Sequence, residues 1–220
     1  RIAENLLSII EGLDESWFAI GSIAPDSGLP DEKWEKFLPP VGVTHFQVPN
    51  RGLSAAADLD FYRQFLQDKP WPGSNSAQFS FLLGYFFHLI ADNLWGARIG
   101  LVTKAKFEAE FAADPQFIWA VKKEWYGLDF IYVRDHPKAL FWRTFLACAY
   151  SADFLNFLPP EAIQQRIDYI QEFYQRTDED VQKAYARPYI YLTQRQADDF
   201  VAEATDISFR AFEKLIQNKF

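Results

Sequence analysis

Apolar residues recur at helical spacing along most of this chain. The first such stripe predicts a helix that ends near Gly12, and its members are Ile2, Leu6, Ile9, Ile10 and Leu13. Further stripes, several of them opened by capping or proline signals, predict helices over 58–68, 76–95, 114–128, 135–158, 160–174 and 193–215. Only the short aromatic run 189–192 is a candidate strand, so the pattern predicts an all-α fold.

The segment from Phe79 to Ala91 is the most apolar of these predicted helices. It is apolar almost all the way round, which is typical of a helix buried in a core. We therefore expect a single-domain, multi-helix fold over 1–220, packed around this central helix, since a chain of 220 residues can bury a large core. The segment is shorter than the roughly 20 apolar residues that a membrane span needs, and no transmembrane segment is predicted.

Helical periodicity disappears between Gly21 and Gly52. Prolines exclude regular helix across most of this stretch, at positions 25, 30, 39, 40 and 49. Embedded aromatic residues such as Trp34 and Phe46 argue against disorder. We predict a long ordered Pro-rich loop over 26–56, and loops of this length in compact domains usually carry function.

Composition and charge exclude several classes of protein. With 49% hydrophobic residues and a net charge of -8, the chain lacks the profile of a disordered segment, and shows no strong nucleic-acid signal. A bound metal ion could still attract a small phosphorylated substrate. Cys148 lies in an apolar run and predicts a buried free thiol. The chain opens at Arg1, so we expect an incomplete N-terminus, and one free cysteine without a visible signal agrees with a cytoplasmic location.

Chemistry-bearing residues occur on the central helix. His88 and Asp92 are four positions apart and so lie on one helix face, where a metal ion could bind an imidazole nitrogen and a carboxylate oxygen together. We expect Asp92 to be buried, and an unpaired buried carboxylate needs a compensating partner. The alternatives to a metal are a structural His–Asp hydrogen bond and an ion pair with an arginine such as Arg98.

The Pro-rich loop provides two further candidates, Asp26 and His45. Asp26 follows Pro25, and its alternative role is that of a turn former ahead of Gly28. His45 lies in Thr44-His45-Phe46, and a solvent-facing loop histidine is equally compatible with the sequence.

The order of these segments resembles the zinc-dependent phospholipase C family, which is related in fold to the S1/P1 nucleases. The resemblance rests on a Pro-Asp loop, a Thr-His-Phe segment and the helix pattern Leu-Gly-Tyr-x-x-His-x-x-x-Asp, and it extends from Trp17 to about Pro137. It implies an all-helical fold around a zinc cluster that hydrolyses phosphodiester bonds.

The resemblance also implies roles for individual residues. His45, His88 and Asp92 look like ligands of one metal ion, Asp26 like a ligand or the base that activates water, and Asp129 like a further ligand. The alternative for Asp129 is an exposed helix carboxylate. Histidines expected after Asp92 in this family are missing, so we expect one or two ions, zinc or another divalent metal. For His136 a capping or surface role is favoured over ligation.

Two functions follow as hypotheses. The first is a metal-dependent hydrolase of phosphodiester bonds, whose partner is a small phosphorylated substrate or a phospholipid headgroup, with aromatic walls from Trp34, Tyr85, Trp95 and Tyr126. The second is a non-enzymatic metal- or ligand-binding helical module with a degenerate site. In a third interpretation the polar residues are purely structural. The oligomeric state is open.

Overall fold

The computed structural model describes residues 1–32, 36–47, 56–67, 69 and 76–217, and these residues are mostly helical. The all-α prediction is therefore confirmed at the level of fold class. The helices are α1 Ile2–Ile9, α2 Glu15–Gly21, α3 Val41–Thr44, α4 Asp58–Phe65, α5 Ala77–Trp95, α6 Leu101–Lys106, α7 Glu108–Ala113, α8 Phe117–Asp135, α9 Leu140–Arg143, α10 Pro160–Phe173, α11 Asp178–Tyr185 and α12 Gln194–Ile216. A π-helical turn, Gly96–Gly100, joins α5 to α6.

The central helix α5 forms the middle of the core, as its sequence predicts. Ser76 caps its N-terminus by accepting a hydrogen bond from the backbone N–H of Phe79. The side chains of Phe81 and Leu89 are fully buried, and the ring of Tyr85 stacks on that of Phe61 with centroids 4.5 Å apart. Its middle part, from Phe79 to Ile90, is almost entirely buried because α2, α4 and α12 pack around it.

Helices α2 and α5 approach each other closely because glycines lie at their contact. A Cβ atom on Gly84 would lie 2.4 Å from the carbonyl oxygen of Phe18, and one on Gly21 would lie 2.1 Å from that of Phe81. Neither position has room for a methyl group, so this approach requires glycine at both. The contact brings Ser22, the residue after α2, against the side of α5 that carries His88.

The N-terminal region contains two helices where the sequence predicted one. Helix α1 ends at Ile9, and α2 starts after Asp14, whose carboxylate accepts a hydrogen bond from the backbone N–H of Trp17. The predicted helix, from Ile2 to about Gly12, is therefore too long. The Asp14 N-cap is the local signal that was overlooked.

The predicted helix over 135–158 is wrong. The chain forms only α9 and a 3-10 turn, Phe145–Ala147, before an irregular segment that continues to Pro159. The side-chain amide of Gln171, on α10, donates hydrogen bonds to the carbonyl oxygens of Phe145, Leu146 and Cys148. These bonds replace those of a helix ladder, so the backbone is satisfied without continuing the helix. The Cys148 thiol is buried and free, as predicted.

The aromatic run 189–192 is not a strand. The carboxylate of Glu124 on α8 accepts hydrogen bonds from the backbone N–H groups of Ile190, Tyr191 and Leu192 at 3.0, 2.6 and 3.1 Å. Glu124 is only 3% exposed, so a buried carboxylate takes the place of the neighbouring strand. The segment is anchored to a helix rather than to a sheet.

The Pro-rich stretch contains more regular structure than a loop. Ala24–Asp26 is a 3-10 turn, α3 covers Val41–Thr44, and two short antiparallel strands, β1 Leu29–Pro30 and β2 Phe37–Leu38, pair Leu29 with Leu38. The predicted wall residue Trp34 and positions 48–55 lie outside the described residues.

Helix boundaries also differ from prediction elsewhere. Helix α4 ends at Phe65, and Asp68 lies outside the described residues. Helix α8 starts at Phe117, because Asp114 caps the preceding turn by accepting a hydrogen bond from the backbone N–H of Gln116. The last helix has both capping-box bonds between Thr193 and Gln196.

Within the part of the chain that the structure describes, no helix has the length and apolarity to cross a membrane.

Candidate metal centre

Four of the five predicted ligands lie together. The Nε2 atom of His45 is 3.5 Å from a carboxylate oxygen of Asp26 and 3.3 Å from one of Asp92. The Nε2 atom of His88 is 3.8 Å from Asp26 and 4.0 Å from Asp92. Ligand atoms of Asp26, His45 and His88 all lie within 4.8 Å of one another. We call these four side chains, which are a candidate site for an ion, the metal centre.

Three short-range features of the sequence place these side chains. Asp26 ends the 3-10 turn that follows α2, and His45 directly follows α3. His88 and Asp92 are one turn apart on α5. The loop residues therefore face a rigid helix, and the α2–α5 contact sets their separation.

The orientation of the His88 ring is determined by its backbone partner. The Nδ1 atom lies 2.8 Å from the carbonyl oxygen of Ser22, and because a carbonyl only accepts, Nδ1 carries the hydrogen. The opposite nitrogen, Nε2, is buried and has no hydrogen-bond partner among the described residues. A buried nitrogen with a free lone pair aimed at two carboxylates indicates a site for a cation.

The His45 ring is held in the same way. The Thr44 hydroxyl donates to the carbonyl oxygen of Val41 at 3.3 Å, so its oxygen can accept from Nδ1 of His45, 3.0 Å away. The carbonyl oxygen of Thr44 in turn accepts a 2.5 Å hydrogen bond from the phenol of Tyr85. Both imidazoles thus point Nε2 toward the carboxylates and hydrogen-bond to a protein oxygen through Nδ1, as metal-ligating histidines do.

When no metal is bound, the pKa shifts in the centre favour a protonated His45 beside an ionised Asp26. Burial lowers the pKa of His45, but hydrogen bonds to Asp26 and Asp92 outweigh that effect and raise it to about 9. Desolvation by neighbouring protein atoms raises the pKa of Asp26, while the hydrogen bond from His45 and the positive charges nearby hold it well below its usual range. Asp26 is thus a carboxylate at neutral pH.

The predicted burial of Asp92 is wrong. Its side chain is 49% exposed and that of Asp26 is 44% exposed, whereas His45 is 5% and His88 14% exposed. The fully buried part of α5 ends at Ile90, and the helix then reaches the surface. Because Asp92 is not buried, its carboxylate does not need a cation to compensate for burial. The orientation of the two imidazoles is therefore the main indication of a cation site.

Arg166 was missed by sequence reasoning. Its guanidinium donates a 3.0 Å hydrogen bond to the second carboxylate oxygen of Asp26, and its Nε atom is buried without a partner among the described residues. No local pattern could have revealed this contact, because Arg166 lies on α10, 140 positions away in the chain. The arginine suggested from sequence, Arg98, instead pairs with Glu203 at 2.8 Å.

A cavity adjoins the centre on the α5 side. It has a volume of about 340 Å³, and its walls include His88, Asp92 and Trp95 together with the apolar side chains of Phe87 and Phe200. Trp95, which the sequence predicts as a wall of the pocket, therefore lines this cavity. Tyr85 is a fully buried core residue, and Tyr126 lines a different cavity. A mainly apolar cavity beside polar groups is the usual form of a small-molecule site.

Asp129 and His136 have other surroundings. The carboxylate of Asp129 accepts a 3.2 Å hydrogen bond from the phenol of Tyr174, and burial raises its pKa to about 6. No contact of Asp129 with the metal centre is seen among the described residues. His136 ends α8, where its Nδ1 bonds the carbonyl oxygen of Tyr132. The sequence predicts a capping or surface role for His136 at the start of a helix, and the structure instead has it as the C-cap that follows α8.

Asp26, His45 and His88 fit a zinc ion as a group because their ligand atoms lie within 4.8 Å of one another, whereas Asp92 lies close to each imidazole without belonging to that group. Tetrahedral zinc with bonds of about 2.1 Å to nitrogen and oxygen separates its ligand atoms by roughly 3.4 Å. The separations from the two Nε2 atoms to the carboxylate oxygens are 3.3–4.0 Å, close to that value. Two neutral imidazoles and two carboxylates would give a site of zero net charge around a divalent ion.

Comparison with family models, with curated proteins and with solved structures gives no match to this chain.

Proposed function

We propose that the chain is a metal-dependent hydrolase of phosphodiester bonds. The observation that carries the proposal is the inward orientation of Nε2 on His45 and His88 toward Asp26 and Asp92, with each Nδ1 bonded to a fixed oxygen. The order of these residues supports a zinc-dependent phospholipase C-like protein with an S1/P1 nuclease-like fold. Among the described residues, the ligand atoms of Asp26, His45 and His88 form a single close group, which supports one ion.

The protein residues would divide the work as follows. A bound zinc ion lowers the pKa of water toward neutrality and stabilises negative charge on phosphoryl oxygens. His45, His88 and Asp92 would hold the ion. Asp26 is ionised at neutral pH and half exposed, so it can accept a proton from a water molecule or hold that water in place.

Arg166 supports an anionic substrate. Its guanidinium lies next to the proposed metal ligands, and its buried Nε–H group has no partner among the described residues. A phosphoryl oxygen can accept a charge-assisted hydrogen bond from it. The apolar cavity beside His88 and Asp92 would receive the uncharged part of the substrate. A small phosphodiester, including a phospholipid headgroup, has both features.

Metal analysis and turnover test the proposal directly. We expect the purified full chain, produced without a metal-binding tag, to hold about one equivalent of a transition metal and to hydrolyse bis(p-nitrophenyl) phosphate. His88→Ala should lose the metal and lower the rate by a factor of 100 or more, roughly, since a ligand is removed. Chelation should abolish the activity, and added zinc should restore it.

Two matched variants serve as controls. His136→Ala removes a histidine at the end of α8, and Asp129→Asn removes a carboxylate that bonds Tyr174. Both should keep the metal and the rate. Absence of metal from the folded chain, or equal losses in His88→Ala and His136→Ala, would exclude the hydrolase.

The Arg166–Asp26 ion pair favours a second candidate, the non-enzymatic metal- or ligand-binding module. Arg166 occupies one oxygen of Asp26, and a protonated His45 between Asp26 and Asp92 balances charge without a metal ion. A chain that binds zinc tightly but does not turn over phosphodiesters, with Arg166→Gln leaving zinc affinity unchanged, would favour this module over the hydrolase.

A further inference from the structure

A second cavity lies between the facing sides of α8 and α11, beside the C-terminal end of α10. Its volume is about 310 Å³, and no residue of the metal centre lines it. Its inner end includes Gly127 and Ala184, both buried, while Lys123 and Lys183 at its outer part are exposed. The cavity therefore opens to solvent between charged side chains, and small residues form its buried end.

The lining of this cavity is strongly basic. Lys123, Arg176, Lys183 and Arg187 contribute four positive charges, and Asp180 contributes the one negative charge among the lining residues. The chain as a whole carries a net charge of -8, so this is a local reversal of sign. Like charges gathered around one cavity repel each other, and an anion between them would relieve that repulsion.

Most of these cations lack an ion-pair partner. Lys183 pairs with Glu179 at 2.6 Å, whereas Lys123, Arg176 and Arg187 form no ion pair with any carboxylate in the described part of the chain. Asp180 accepts a 3.0 Å hydrogen bond from the hydroxyl of Thr177. Three cationic groups are thus available to a ligand.

Arg176 is positioned as a binding residue would be. Its guanidinium lies over the rings of Phe130 and Phe173, 4.7 and 4.3 Å from their centroids. Its Nε atom is buried and has no hydrogen-bond partner among the described residues. Two aromatic rings thus hold the guanidinium in place while leaving a buried donor unsatisfied, which is an independent indication of a missing acceptor.

We propose that this cavity binds a polyphosphate group, either free or as part of a nucleotide. Guanidinium groups match pairs of phosphate oxygens, and a multiply charged anion compensates several cations at once. Tyr126, whose ring packs on Phe173 at 5.2 Å, also lines the cavity and offers an aromatic surface to a nucleotide base. The site is independent of the metal centre and does not depend on the proposed hydrolase activity.

Calorimetric titration of the full chain tests this site. We expect saturable binding of tripolyphosphate and of ATP, weakening as salt rises, with sulfate much weaker. Equal affinities for the first two would identify the polyphosphate itself as the ligand, and tighter binding of ATP would identify a nucleotide. Failure of both to saturate, or sulfate binding as tightly as tripolyphosphate, would overturn the proposal.

Charge-neutralising variants locate the site. Arg187→Gln and Lys123→Gln should each weaken tripolyphosphate binding about tenfold. The control is Lys122→Gln, which removes a neighbouring charge that lies over the ring of Trp119 and does not line the cavity. Thermal melts and zinc content should be the same for all three. Equal loss of binding in the Lys122 variant would show a non-specific charge effect and would refute the site.

Discussion

The Nδ1 atom of His88 donates a hydrogen bond to the carbonyl oxygen of Ser22, 2.8 Å away, across the contact between α2 and α5. This bond determines that the other ring nitrogen faces Asp26 and Asp92. The geometry of the metal centre is therefore set by a helix–helix contact, and variants that change the contact should change the centre.

Gly84→Ala should destabilise the protein and weaken metal binding together. The added Cβ would lie 2.4 Å from the carbonyl oxygen of Phe18, and backbone atoms must shift to admit it. Overpacking of this kind costs about 1–3 kcal/mol or more, which exceeds the gain of up to about 1 kcal/mol in helix propensity. Chemical denaturation and zinc titration measure the two effects.

Gly100→Ala is the matched control for that helix contact. A Cβ atom there would lie 3.8 Å from the carbonyl oxygen of Trp95, which is ordinary van der Waals contact. We expect unchanged or slightly higher stability and unchanged zinc affinity. Equal stability of the two variants would contradict the role given to Gly84.

Thr44→Val should weaken metal binding while leaving the fold intact. The hydroxyl of Thr44 is the acceptor for Nδ1 of His45, and loss of the group that orients a metal ligand typically lowers metal affinity about 10- to 100-fold. Thr44→Ser keeps the hydroxyl and should restore the affinity. If valine and serine bind zinc equally well, the ring of His45 is oriented by something else.

Glu124→Gln should destabilise the fold without affecting the metal centre. The carboxylate accepts hydrogen bonds from three backbone N–H groups, and an amide in its place turns a donor toward one or more of them. We expect a loss of roughly 2–4 kcal/mol in the free energy of unfolding. The exposed Glu110→Gln change is the control and should be neutral, whereas similar losses in the two variants would argue against the anchoring role.

Asp129→Asn should stabilise the protein increasingly as pH rises from about 4 to 6. The folded-state pKa is raised to about 6 from 3.8, so in this interval the folded protein holds a proton that the unfolded chain has released. Stability of the native chain therefore falls with rising pH through this window, then levels off. The asparagine does not ionise, and it can still accept the hydrogen bond from Tyr174.

Denaturation midpoints of the native chain and Asp129→Asn between pH 4 and 7 measure this effect. The difference in the free energy of unfolding should grow to about 1–3 kcal/mol and remain flat above pH 6. Asp153→Asn, at an exposed position, should give no such slope. A difference that shrinks with rising pH would have the wrong sign and would contradict the raised pKa.

Local signals in the sequence determined much of the helical framework. Ser76 and Pro160 mark the starts of α5 and α10, and the Thr193–Gln196 capping box marks that of α12. These signals work from sequence because caps and helix periodicity involve residues only a few positions apart. For the same reason the one-turn spacing of His88 and Asp92 could be recognised as a candidate pair of ligands.

Contacts between distant segments were decided only by the tertiary structure. Packing of α10 brings Arg166 to Asp26 and Gln171 to the carbonyl groups that follow α9, and packing of α8 brings Glu124 to the run 190–192. Packing also determines that α5 reaches the surface at Asp92. The environment of a side chain depends on which segments pack against it. Contacts between residues far apart in the chain leave no local sequence pattern from which they could be predicted.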